Sequence, residues 1–148
     1  MPELSVIGNA TLADANNVAA IVTLNLTNTT GGADIDYAAA AVAGTADAQV
    51  VNISSTTAGT LTLDAGIESL TINSSGGQAN TLAAVAGTGI ASLTITDSVG
   101  LTITGTLPTT ITTVDGSAAT GALTITQTGA VVSNISTGSG NDVIDLSG

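Results

Sequence analysis

Two stretches of this chain carry residue types that could hold a metal ion. The first is Thr137-Gly138-Ser139-Gly140-Asn141-Asp142-Val143-Ile144-Asp145. Gly138 and Gly140 let the backbone curl until its carbonyl oxygens face a cation. Asp142 would add a charged oxygen, and Ile144 would point inward and anchor the turn. Ca²⁺ takes about six to eight oxygens, more than this turn offers, so a neighbouring segment must supply the rest. The sequence stops at Gly148, before a second such unit, which suggests a piece of a longer protein. The second stretch, Gly31-Gly32-Ala33-Asp34-Ile35-Asp36, is a degenerate echo of the first. In a strand, Asp34 and Asp36 share one face and could chelate a cation together. The plainer reading is an exposed acidic turn. Asp97 and Asp115 sit beside Ser98 and Gly116, and Asp64 lies two residues before Gly66. They read as turn formers whose side chains accept backbone N–H bonds.

Charge makes the cation question general. The 148 residues include no Lys, Arg or His, and the formal net charge is −11. Side-chain salt bridges are impossible. The carboxylates can be neutralised only by protons, backbone donors or bound cations, and hard oxygen-seeking ions such as Ca²⁺ are the natural partners. Nucleic acid is excluded as a partner, because phosphate binding depends on Lys and Arg. Anionic membrane surfaces are disfavoured for the same reason. No stretch reaches the roughly 20 apolar residues that span a bilayer, so membrane insertion is not expected. No basic segment precedes an apolar one, as in a secretory signal peptide.

Catalysis is hard to build from these residues. There is no Cys nucleophile, no His or Lys base and no Arg clamp. Only carboxylate pairs remain, and Asp34 with Asp36 is the one close pair in sequence. Paired carboxylates can hydrolyse glycosides, but the reading favours a protein that is not an enzyme.

Any such site must be positioned by short strands. Alternating runs recur: Ile21–Leu26, Val50–Ile53, Leu61–Leu63, Leu70–Ile72, Leu93–Ile95, Leu101–Ile103 and Leu123–Ile125. Period-two alternation marks half-buried strands. One series places Val51, Leu70, Leu93, Val114 and Ile135 in equivalent positions. A second does the same for Leu61, Leu82, Leu101, Leu123 and Val143. Both repeat about every 21 residues, which describes one coil bearing two main strands. Such a repeat buries its apolar face only by stacking on the next coil, about 4.8 Å away. The expected fold is all-β: a right-handed parallel β-helix, or β-solenoid, of six or seven coils, ending in a calcium β-roll-like turn. An antiparallel β-sandwich is the rival, because its turns also fall every 8 to 12 residues or so. With 43% apolar residues, the chain is too hydrophobic to be disordered. Tyr37 is the single aromatic residue, so aliphatic stacks must form the core.

The organisation expected is one solenoid module over 1–148. Residues 1–50 read as irregular or capping coils, with a helix-like or loop-like insertion near 37–44, YAAAAVAG. Matching Leu26 to Ile53 gives a longer gap of 27 there. Residues 51–148 read as regular coils.

From Leu101 to Gly148 the chain resembles the β-strand-repeat modules of bacterial surface-layer proteins of the RTX type. The matching elements are Leu101–Gly105, the Val114-Asp115-Gly116-Ser117-Ala118 turn, Gly121–Thr126 and the terminal motif. The family's calcium repeat reads G-G-x-G-x-D-x-U-x, where U is a large apolar residue. Here Thr137 replaces the first Gly, while Gly138, Gly140, Asp142 and Ile144 fill the other defined positions. The resemblance implies type I secretion, a location outside the cell at its surface, a Ca²⁺ requirement and assembly with copies of itself in a lattice or fibre. It also allows attachment to cell-surface polysaccharide through another domain. The implied function is a structural module of a calcium-dependent surface layer. The alternative is a stalk or repeat module of a large type I-secreted RTX adhesin.

Threonine supports a third, minor reading. T-x-T triplets begin at Thr60, Thr94, Thr102, Thr110 and Thr124, and stacked T-x-T rows resemble the ice-binding face of β-helical antifreeze proteins. Thr is also simply favourable on exposed strands. Asn-x-Ser/Thr sequons begin at Asn9, Asn25, Asn28, Asn52, Asn73 and Asn134. In so Asn-, Ser- and Thr-rich a chain they are expected from composition.

Overall fold

A computed structural model describes residues 1–96, 98–127 and 134–147. Alternating β-branched and leucine residues make every regular element in it a strand. One sheet contains β1 (Glu3–Ile7), β3 (Thr23–Thr27), β5 (Ala48–Ser54), β7 (Ser69–Ser75), β9 (Ser92–Thr96), β11 (Thr113–Asp115) and β13 (Asn134–Ser136), in that spatial order. The second contains β2 (Ala13–Val18), β4 (Ala33–Tyr37), β6 (Thr57–Leu63), β8 (Asn80–Ala86), β10 (Leu101–Thr106), β12 (Leu123–Thr126) and β14 (Val143–Asp145), also stacked in chain order. Odd strands pair only with odd, even only with even, and every pairing is parallel. The chain therefore winds as a β-solenoid with roughly 21 residues per coil. The parallel ladders exclude the antiparallel sandwich.

The core is a set of aliphatic columns. In the first sheet Leu4, Leu24, Val51 and Ile72 lie in register, followed by Ile95. In the second, Ala58, Leu82 and Ile103 do the same. The connection leading back to the first sheet buries Ile67, Ile90 and Ile111, all 0% exposed, and closes the third side. That connection is laddered as well: Glu68, Ala91, Thr112 and Asn134 each donate a backbone N–H to the preceding coil, at Asp47, Glu68, Ala91 and Thr112. Each fully buried Leu or Ile contributes about 1.5–3 kcal/mol, and layer-by-layer stacking is how a core without large aromatics is filled. Tyr37 is buried where the two sheets meet, and its hydroxyl donates to Gln49 Oε1 at 2.5 Å.

One corner repeats a backbone device. Ile7, Thr27, Ser54 and Ser75 are in register at the ends of β1, β3, β5 and β7. The residue after each has positive φ: Gly8 at 63°, Asn28 at 51°, Ser55 at 50° and Gly76 at 100°. A left-handed residue turns the chain sharply from one sheet toward the other, and Gly or Asn adopts it most readily.

The register corrects parts of both predicted series. Leu70, Leu93, Val114 and Ile135 align as expected, but Val51 pairs with Ile72 and Leu70 with Gln49. Leu101 aligns with Leu123, whereas Leu61 pairs with Val85 and Leu82 with Ile103. These are slips of two or three residues that keep the inward face; apart from Gln49, which is buried beside Leu70, they leave an apolar side chain inside, so hydrophobic pattern alone does not detect them. Val143 is different. It pairs with Thr124, one residue off, and is 54% exposed, while Ile144 packs against the core. Residues 1–50, read as irregular or capping coils, supply β1 to β4 of the stack, with β1 and β2 in its first coil. Tyr37 ends β4, residues 38–47 are turns and bends, and Thr23 pairs with Val50, a step of 27.

Candidate functional site

Most carboxylates in this fold accept hydrogen bonds at coil junctions. Asp64 accepts from the Tyr37 N–H of the preceding coil at 2.9 Å and from Gly66 N–H at 2.8 Å. Glu68 accepts from Asp47 N–H at 2.7 Å, and Asp47 from Gly44 N–H at 3.0 Å. Asp115 accepts from the N–H and hydroxyl of Ser117, and Asp145 does the same with Ser147. These bonds hold both carboxyls below the ordinary value of 3.8. Asp64 and Asp115 are thus turn formers, as predicted; Asp97 lies outside the described residues.

Asp142 belongs to the same group. Its Oδ1 accepts from Leu123 N–H of the preceding coil at 2.9 Å. Gly138 and Gly140 lie against that coil's turn. A Cβ on Gly138 would stand 1.7 Å from the Ala119 carbonyl oxygen, and one on Gly140 would stand 2.6 Å from that of Gly121. In this geometry the two glycines permit close stacking of one turn on another. Gly31, in the N-terminal echo, does so on Thr11, where a Cβ would meet the carbonyl oxygen at 1.8 Å.

The N-terminal echo provides the least satisfied acids. Asp14 and Asp34 are register partners on β2 and β4, and Asp36 follows on the same outer face. Burial raises the Asp34 pKa above 3.8, helped by the charges of Asp36 and then Asp14. Asp14 accepts from Asn16 Nδ2 at 2.6 Å. Among the described residues no hydrogen bond reaches the carboxylate of Asp34 or Asp36. Nor, among them, does any group of three or more acidic side chains lie close enough to hold a metal ion. As a pair, Asp34 and Asp36 offer four carboxylate oxygens, a partial shell for Ca²⁺ that water or another molecule would have to complete.

The outer face of the first sheet carries a feature that sequence reading missed. Ser5, Asn25, Asn52, Asn73 and Thr96 form one register column. Asn52 Nδ2 donates to Asn25 Oδ1 at 2.7 Å, Asn73 Nδ2 to Asn52 Oδ1 at 2.6 Å, and Thr96 Oγ1 to Asn73 Oδ1 at 2.5 Å. This is an amide ladder of the kind stacked parallel strands favour. Three of the six sequons begin at its asparagines. The available signal was Asn recurring at one strand position, obscured by the 38–47 insertion.

The threonine pairs divide between faces. Thr94 and Thr96 lie on β9; Thr60, Thr62, Thr102, Thr104, Thr124 and Thr126 lie on the second sheet; Thr110 and Thr112 precede β11. One row, Thr57-Thr81-Thr102-Thr124, is continuous, while Thr60 and Thr62 neighbour Ala84 and Ala86. No family model, curated protein or solved structure matches the chain.

Proposed function

We propose that the chain is a structural module of a calcium-dependent, self-assembling surface layer outside a bacterial cell. The observation that carries this is electrostatic. A stiff stack of coils holds a net charge of −11 with no cationic side chain, and Asp34 and Asp36, beside Asp14, are not neutralised by backbone donors. Such a scaffold gains most from a divalent cation, which relieves repulsion between acids that the fold holds in place. Asp34 and Asp36 are the residues on which Ca²⁺ would act, with Gly138, Gly140 and Asp142 ordering the last turn. Binding to the folded state alone would stabilise it by mass action. Where calcium is scarce, self-repulsion would weaken the fold; outside the cell, calcium would favour folding and contact between copies.

The test is thermal unfolding by far-ultraviolet circular dichroism in millimolar Ca²⁺ and in excess chelator, with electron microscopy of the same samples. A higher Tm in Ca²⁺, together with ordered sheets, supports the layer. Isolated rods would favour the adhesin stalk. Identical melting in both conditions and no assembly would overturn the proposal.

A further inference from the structure

On the outer face of the first sheet the middle coils carry no carboxylate. The outward residues of β3, β5, β7 and β9 form columns. One is Thr23-Val50-Thr71-Thr94, the next is the amide ladder Asn25-Asn52-Asn73-Thr96, and a third is Thr27-Ser54-Ser75. On this face the next acids lie one coil further out on each side. Glu3 of β1 pairs with Thr23, and Asp115 of β11 pairs with Thr94. The second sheet differs. Its outer face carries Asp14, Asp34 and Asp36, and the stretch beyond them presents hydroxyls and methyls, such as those of Thr81, Ala84 and Thr102.

The ladder is polarised. Asn25 donates to Ser5, Asn52 to Asn25, Asn73 to Asn52 and Thr96 to Asn73, always toward the N-terminal coil. The side-chain dipoles therefore add along the stack. A side-chain amide has two N–H donors and two acceptor lone pairs. Asn52 and Asn73 each use one of either kind within the ladder. Among the described residues the second N–H and the second lone pair of both meet no partner. They recur at the coil spacing of about 4.8 Å.

We infer that this face pairs with the same face of a second copy, the two solenoids running antiparallel. Charge selects the occupant. Every copy carries −11 and no cationic side chain, so two copies approach closely only where both faces lack carboxylates. Hydrogen bonding selects the same surface, because the unused amide groups are matched by an identical set. Short Thr, Ser, Asn and Val side chains let two sheets close to about 10 Å, as asparagine ladders do between paired sheets. The contact is isologous. A two-fold axis along the strands, between β5 and β7, sets Asn52 against Asn73 of the second copy and opposes the two ladder dipoles. Parallel solenoids would align them. The same operation sets β1 against β11, and so Glu3 against Asp115 of the second copy, at both margins. Those carboxylates repel until a cation bridges them, so Ca²⁺ strengthens the pairing. The patch is small, four strands of five to seven residues, which is less than a permanent dimer buries. The pair is weak by itself and becomes populated where copies are concentrated, as within a layer. The inference rests on the self-assembling reading above and names the surface that assembles.

The test is sedimentation equilibrium over a concentration series, in millimolar Ca²⁺ and in excess chelator. Thr71→Glu puts a carboxylate at the centre of the patch without touching the ladder. Val50→Glu, at its register neighbour, is a second block should the first disturb folding. Thr102→Glu, in the middle of the second sheet, is the control. Wild type and Thr102→Glu are expected to form dimers that Ca²⁺ strengthens. Thr71→Glu should weaken association by about tenfold or more, because like charges meet across the two-fold, while its circular dichroism spectrum stays that of the wild type. Undiminished association of folded Thr71→Glu and Val50→Glu would overturn the face contact while leaving the self-assembling reading standing. Loss of association in Thr102→Glu alone would do the same. A wild-type chain that stays monomeric at every concentration in Ca²⁺ would overturn both.

Discussion

Among the acids, environment divides what residue type leaves equal. The Asp34 carboxyl is held above 3.8 by burial and by its neighbours Asp36 and Asp14. The native state therefore binds this proton more tightly than the unfolded chain does. Its contribution favours the fold at low pH and is lost as pH rises through the raised value. Asp115 and Asp145 act with opposite sign: their lowered values favour the fold above 3.8, an advantage lost as pH falls through them. Asp34→Asn should accordingly raise Tm at about pH 7 and flatten the part of the pH profile above 3.8, as read by melts from about pH 3 to about pH 8. An unchanged profile would mean that Asp34 does not sense its neighbours. The amide ladder makes a second residue-scale prediction. Asn52→Ala removes the bonds to Asn25 and Asn73 together and should cost about 1–2 kcal/mol in denaturant unfolding. A smaller loss would mean that water replaces the ladder at little cost.

For strands and turns, the main requirement is close approach between coils. Gly31, Gly138 and Gly140 sit where a Cβ would meet the backbone of the coil before. The glycine-rich stretches that first suggest a cation cage thus also have a packing reason to be glycine. Gly31→Ala should destabilise by about 2 kcal/mol or more, because the obstacle is backbone and cannot rotate away. Gly77 is the control: a Cβ there meets nothing within 4 Å. Gly77→Ala should leave stability unchanged or raise it by about 0.5 kcal/mol, through the lower entropy of the unfolded chain. Equal effects in the two variants, measured by unfolding, would refute the stacking argument.

For the whole molecule, the sign of every side-chain charge is the same, so salt has no favourable side-chain pair to screen. Raising ionic strength shortens the Debye length from about 30 Å at 0.01 M to about 3 Å at 1 M and removes only repulsion. Tm should therefore rise with NaCl in the presence of chelator. A fall would point to favourable electrostatics that side-chain charges do not supply. The acids are also unevenly spread: between Ser69 and Val114 the sequence contains only Asp97. The middle coils are close to neutral outside, and repulsion is concentrated toward the ends.

The parallel stack of about 21 residues per coil, with its inward Leu and Ile, was legible in the sequence from Ile21 onward, whereas β1, β2 and β4 lie outside the alternating runs. The stack is imposed by local alternation and by the need to bury an apolar face. Register was less legible. A two-residue slip preserves the face, so nothing local separates Ile72 from Leu70 as the neighbour of Val51. The ladder that passes from Asn25 through Asn52 to Asn73 is invisible until 27 and then 21 residues of chain are folded between its rungs. The same holds for the pairing of Asp14 with Asp34 and for the capture of Asp142 by Leu123 N–H. These contacts lie between coils, and their partners are chosen by how each turn closes. Alternation along one strand decides only which way a side chain points; what it meets there was decided by the stacked structure.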